Sequence, residues 1–219
     1  MYELVSISLL IQDLAIVSYE GTIYMIFDNA ELNQEEKVFT AEDFSTTSFT
    51  GYSFYNCIFD HCIFIHSIWT DAKFYSCSFN SCNLSFVNVK DALLQDVTFN
   101  ECKLVGIEFY KVNKTFFSIA SRESNLLSCN FSDLSMQKTS FVGSKLKECS
   151  FKNTQLEGAD FSGADLQETT FRDCNLNKAN FSSAKNYSID ISINRVKKAQ
   201  FSYPDVMCLL KYFDIVIKE

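Results

Sequence analysis

Large apolar residues return at every fifth position through most of this chain. A first register runs Phe39, Phe44, Phe49, Phe54, Phe59, Phe64, Trp69, Phe74, Phe79, Leu84, Val89, Leu94, Phe99, Leu104, Phe109. A second runs Leu126, Phe131, Met136, Phe141, Leu146, Phe151, Leu156, Phe161, Leu166, Phe171, Leu176, Phe181, Asn186, Ile191, Val196, Phe201, and Asn186 alone in the two sets is polar. A period of five suits neither an α-helix, which repeats every 3.6 residues, nor a strand, which alternates. Side chains so spaced face one interior only if the backbone turns a corner within each unit. Four units then close a square coil of about 20 residues, and coils stack at the strand spacing of about 4.8 Å. The pattern predicts a solenoid whose backbone pairs with the coils above and below.

A second side chain should point inward two positions before each large one, and it must be small. That position holds Cys57, Cys62, Ser67, Ala72, Cys77, Cys82, Val87, Ala92, Val97 and Cys102 in the first register, and in the second Cys129, Thr139, Ser144, Cys149, Thr154, Ala159, Ala164, Thr169, Cys174, Ala179, Ala184 and Ala199. The other three positions of each unit are mostly Asp, Asn, Ser, Thr, Lys, Glu and Gln, as solvent-facing corners require.

The run LEGADFSGADLQETTFRDCNLNKANF, Leu156 to Phe181, resembles the A-(D/N)-(L/F)-x-x motif of the pentapeptide repeat family. The resemblance covers roughly residues 37–201. It implies an all-β fold, a right-handed quadrilateral β-helix with Phe and Leu stacked in columns, here with an N-terminal β cap and a short C-terminal α-helix. About eight coils give a rod on the order of 38 Å long.

The chain divides into an N-terminal segment 1–36, a first stack 37–109, a break 110–125, a second stack 126–201 and a C-terminal module 202–219. In the first segment LAIVSYEGTIYMIF alternates and carries Gly21 at a turn, which predicts a β-hairpin. Leu4, Leu9 and Leu14 keep the five-residue phase, so a degenerate coil is the rival reading; either would cover the exposed end of the helix. Phe109 and Leu126 lie 17 apart, two more than a multiple of five, so the register slips. The slip is either a loop leaving the wall, with Lys111, Lys114, Phe116, Phe117 and Arg122 as candidate partner-binding residues, or a change of coil phase. After Phe201, Pro204 opens a helix whose apolar stripe includes Leu209, Leu210 and Phe213, and Ile215 and Ile217 alternate as a short strand. This ending resembles the C-terminal module of Qnr-type quinolone-resistance proteins, which implies a homodimer through Leu209, Leu210, Phe213 and Ile215. A cap folded back on the last coil is the alternative.

Eight of the nine cysteines fall on the small inward position, where Cys acts as a compact apolar residue, so free thiols are expected. With no basic leader and no uncharged apolar run long enough to cross a bilayer, neither export nor a membrane span is expected, and a reducing cytoplasm is the simplest compartment. His61 and His66 sit at outward corners of successive units, on adjacent faces. No phosphate-binding glycine loop occurs, and the carboxylates are spread along a convex wall. The sequence therefore reads as a non-enzyme with no cofactor and no metal.

Net charge is -8, and residues 1–72 hold 11 acidic residues against Lys37 alone. An acidic rod repels nucleic acid and attracts proteins that bind it. Resemblance to Qnr-type members implies a DNA mimic with DNA gyrase or topoisomerase IV as partner, through Asp60, Asp71, Asp91, Asp96 and Glu101. B-DNA carries a charge every ~1.7 Å, far denser than this chain, so any mimicry is partial. A scaffold for another protein partner is the contrasting reading.

Overall fold

The computed structural model describes residues 14–19, 22–27, 32–213 and 215–216. Between residues 33 and 201 the chain winds into a parallel β-solenoid of about 8 turns, the right-handed quadrilateral β-helix that the family resemblance implies. Partners lie one coil apart: Phe39 stands opposite Phe59, and Phe59 opposite Phe79. Each coil is stitched to the next in both directions. Phe44 N–H donates to the Ile63 carbonyl at 2.7 Å while Ile63 N–H donates back to the Glu42 carbonyl at 2.9 Å.

Four columns of side chains rise inside. They begin at Phe39, Phe44, Phe49 and Phe54, and define the first to fourth faces. On the first face the Phe39–Phe59 and Phe59–Phe79 rings stack at 4.9 and 4.7 Å, and on the third face Phe131–Phe151 and Phe151–Phe171 stack at 4.9 and 5.0 Å. Ring spacing thus equals coil spacing, which is why Phe can repeat without strain. Rings on neighbouring faces meet edge to face, as Phe64 and Trp69 do at 89°.

The small inward slot has a chemical preference as well as a size limit. The Cys62, Cys82 and Cys102 thiols donate to the carbonyls of Phe39, Phe59 and Phe79 at 3.4, 3.3 and 3.3 Å. Thr154 and Thr169 hydroxyls do the same to Phe131 and Leu146. Eight cysteines are buried, Cys208 is half-buried, and all nine are free thiols.

Corners are made by the residue two beyond the column residue, which in nearly every unit adopts the left-handed conformation: φ is 54° at His61, 56° at Asp71 and Asp91, and 53° at Asp96 and Glu101, whereas Lys111 ends a 3-10 turn. Asn, Asp and Gly tolerate that region best. Polar residues at corners therefore answer a conformational demand in addition to solvation.

The register slip resolves as a change of phase with a local bulge. Leu93 faces Asn113, the partner that an undisturbed coil provides, but Val97 faces Ile119, two positions beyond the regular partner. The two extra residues enter between the corner Phe116 (φ 56°) and Ile119. Lys114 and Ser121 then occupy column positions without a large apolar group. Phe117 turns inward, 8 % exposed and 6.5 Å from the Phe109 ring, and supplies the missing bulk.

A second irregularity centres on Asn186 and corrects the counted register. Asp165 faces Lys185, but Phe171 faces Ile189, and Asn175 again faces Arg195. Ile189, fully buried, takes the column position that strict counting assigns to Ile191, which is only half-buried. The buried Tyr187 ring, 5.6 Å from Phe201, fills the interior that the exposed Asn186 does not.

At the N-terminus β1 (Leu14–Tyr19) and β2 (Thr22–Phe27) pair antiparallel, with Leu14 opposite Phe27. A parallel coil would not pair this way. Leu4, Leu9, the Gly21 turn and the packing of this segment as a cap lie outside the described residues.

The C-terminal helix, Asp205–Phe213, is a 3-10 helix and not the α-helix expected. With three residues per turn, residues three apart eclipse. That aligns Val206 and Leu209 against the core with Tyr212, whose hydroxyl meets Ser188 Oγ at 2.5 Å. Ile215 belongs to no strand, and Ile217 lies outside the described residues. Among the described residues no helix is long and apolar enough to cross a membrane.

Candidate protein-binding surfaces

The five acidic candidates do not converge. Asp60 lies on the first face, 3.1 Å from His61 Nδ1. Asp71 and Asp91 follow one another up the corner between the third and fourth faces, each two before a residue of the Lys73–Leu93 pair. Asp96 turns the next corner and accepts a hydrogen bond from Ser118 Oγ at 2.9 Å. Glu101 is one corner further, its N–H bonded to the Arg122 carbonyl. The Asp71–Asp91 corner continues through Lys111, Asp133, Asn153 and Asp173. Lys111 is drawn aside by an ion pair with Glu108, and Asn153 Nδ2 donates to Asp133 at 2.9 Å. Lys111 and the Tyr110 hydroxyl hold the Glu108 carboxyl below its usual range.

The second face carries an exposed aromatic platform that inspection of single units misses. His66, Phe86 and Gly106 succeed one another at one corner, one in each of three consecutive coils. The His66 and Phe86 rings stack at 5.1 Å and 13°, and Phe86 remains 51 % exposed. Gly106 makes room for it: a Cβ there would lie 2.9 Å from the Phe86 ring. Leu127 and Ile63, partly exposed, flank the platform on the same face. The period of four units was the available signal.

At the break the structure brings together Lys114, Phe116, Phe117 and Arg122, but not Lys111, which faces the third-face corner. They line a groove of about 440 Å³ with Asp96 on one side and Ser135, Gln137 and Lys138 from the following coil on the other. Phe116 is 74 % exposed. The opposing wall lay hidden because its residues belong to the next coil, far downstream of the slip in sequence.

Of the four dimerisation candidates, Leu209 is buried within the chain and Leu210 half-buried, while Phe213 and Ile215 are exposed, as are Tyr203, Met207 and Val216. The helix docks on the last coils: Lys211 Nζ and the Tyr212 hydroxyl both reach Ser188 Oγ, and the Cys208 thiol donates to the Tyr187 carbonyl. Among the described residues no three His, Cys, Asp or Glu side chains are grouped so as to hold a metal ion.

Parallel coils with the apolar columns inside and chemistry confined to corners and outer rows define a repeat solenoid that offers surfaces. The sequence matches the family described as "Pentapeptide repeat region" over residues 52–123 and 113–181, and the chain belongs to that family. No curated protein matches it. Among solved structures it is similar to a trypsin-treated variant of QnrB1, a plasmid-mediated fluoroquinolone resistance protein, with a TM-score of 0.57 and 17% identity, covering 85% of this chain and 100% of that one. A second trypsin-treated QnrB1 variant gives 0.54 and 18%, covering 90% and 96%.

Proposed function

We propose that this protein is a non-enzymatic binding solenoid whose partner is another protein. The observation that carries this reading is the His66–Phe86–Gly106 platform. A phenyl ring held half in water by a stacked neighbour and a glycine adds little to the fold, whereas fixed exposed aromatics are what protein interfaces use. The test is affinity capture from lysate with the wild type and a His66→Ala/Phe86→Ala variant. The reading requires a protein retained by the first and lost from the second. Capture unaffected by the substitutions overturns it.

A second reading is favoured by the corner that carries Asp71, Asp91, Asp133 and Asp173 together with the fold shared with QnrB1: a partial DNA mimic that binds DNA gyrase or topoisomerase IV and modulates quinolone action. The four aspartates span about five coil spacings, roughly 25 Å, where B-DNA would place some 15 charges. All four also sit at left-handed φ, so conformation alone accounts for Asp there. Gyrase supercoiling with and without a quinolone decides the point. Activity changed by the wild type and unaltered by Asp71→Lys/Asp91→Lys removes this corner from the mechanism, and no effect at high micromolar protein removes the reading. The exposed Phe213 and Ile215 are the residues through which we propose a two-fold dimer would form.

A further inference from the structure

We propose that the groove at the register break binds an extended acidic segment of a partner protein. In most other units the ladder between coils is closed; on the third face Val89 is a further exception, because the Glu108 carbonyl is taken by the Lys111 N–H of the 3-10 turn. In most units that turn like this one the column residue donates to the coil above, as Phe64 does to the Asn83 carbonyl and Leu146 to the Asp165 carbonyl, each at 2.7 Å. At the break the equivalent bond from Lys114 to Ser135 is not made. Asn113 and Ser118 both donate backward, to the Ala92 and Leu94 carbonyls, and Ser135 is bridged only forward, to Gln155. Among the described residues the Lys114 N–H has no acceptor and the Ser135 carbonyl no donor. An interruption in a ladder offers an extended chain the bonds a neighbouring coil would have made.

Charge selects the sign of that chain. Lys114, Arg122 and Lys138 line the groove and take part in none of the ion pairs among the described residues. The one carboxylate in the lining, Asp96, is engaged by Ser118. Three uncommitted cations beside unpaired backbone groups suit carboxylate side chains alternating along a strand. The exposed Phe116 ring gives the intervening apolar side chains a surface. A volume of about 440 Å³ exceeds what a single anion needs, and the net charge of -8 opposes a nucleic acid. This site is separate from the Phe86 platform, and each can fail without the other.

The probe is an end-blocked octapeptide of alternating glutamate and valine, with a glutamine-for-glutamate copy as control, titrated into the full chain by calorimetry and by amide NMR. The glutamate peptide should bind at least ten-fold more tightly than its copy and shift the Lys114 and Ser135 amides. Lys114→Gln/Lys138→Gln should weaken it at least five-fold. Lys103→Gln/Lys145→Gln on the second face and Phe86→Ala should leave it unchanged. Equal affinity for the two peptides, indifference to the groove lysines, or no binding at millimolar peptide overturns the proposal. So does an equal response to free glutamate, which would reduce the site to an anion pocket, or displacement by duplex oligonucleotide at matched charge.

Discussion

Phe117 and Ser121 should behave as two halves of one packing problem. Ser121 stands opposite Phe99 in the first-face column, where every other member from Phe39 to Phe201 is a phenylalanine. Its hydroxyl is buried and has no hydrogen-bond partner among the described residues. Phe117, from the inserted pair, enters the same coil and brings the ring that Ser121 and Lys114 omit. Phe117→Ala removes a ring that is 8 % exposed and has one close aromatic neighbour, so the cost should fall near the low end of the large-to-small range, about 3 kcal/mol. Ser121→Phe alone forces a second ring into a filled coil and should cost about 1–3 kcal/mol. Together they move the ring from the insertion to the column, where Phe99 and Phe141 wait above and below. The double variant should therefore be more stable than the sum by at least about 2 kcal/mol. Equilibrium guanidinium unfolding of the four proteins, followed by circular dichroism, measures this coupling. Additivity within about 0.5 kcal/mol would refute the claim that Phe117 occupies space left by the column.

Elsewhere in the interior, Phe151→Ala should cost about 3–5 kcal/mol and Phe151→Leu less than about 1.5, because Leu already serves in other columns; the same unfolding assay separates them. Thiol titration with an aromatic disulfide should find at most Cys208 reactive in the native protein and all nine cysteines after denaturation. The neighbouring Cys102 thiol and burial push Cys82 up to about 12, and burial raises Cys174. The unfolded chain therefore releases these protons first, near pH ~8.5, and stability should be complete below that pH and fall as it rises towards about 12; Cys82→Ala/Cys174→Ala should flatten the slope of midpoint against pH. Gly106→Ala should destabilise by about 1–2 kcal/mol through its left-handed φ and the Phe86 ring, and adding Phe86→Ala should recover only the part due to the collision.

The columns, the small slot and the polar corners were legible because each is a property of a residue and its neighbours two to five positions away. Cys62, Cys82 and Cys102 could be placed in one column from numbering alone. What the slot does with a thiol could not, since the Phe59 carbonyl that receives the Cys82 proton belongs to another coil. The two departures from period failed differently. At 110–125 the count revealed two extra residues but not where they enter, because Phe117 and Phe116 are equally apolar and only the fold turns one in and the other out. At 186–194 insertion and deletion cancel, so Asn186 was visible and the exchange of Ile189 for Ile191 was not. The acidic candidates share a type but not a face: members of successive units sit on neighbouring faces, and only a separation of one whole coil brings two together.

That arithmetic bears on where recognition can reside in such a molecule. Of five positions per unit, the column residue and the slot two before it are dictated by the interior, and the corner is restricted by its positive φ. Two rows per face are left free, together with whatever a corner residue can do without leaving the left-handed region. A function that needed only rigidity would leave those rows uniformly polar and the ladder unbroken. Here Ile63 and Leu127 stand in the free rows, Phe86 is supported at a corner by a glycine one coil away, and a ladder bond is given up between Lys114 and Ser135. Each departure exposes apolar surface or unpaired backbone that a regular repeat would have covered at no conformational cost. The second face and the fourth-face groove are therefore where a partner's contacts are to be sought, ahead of the aspartates that the corner geometry already explains.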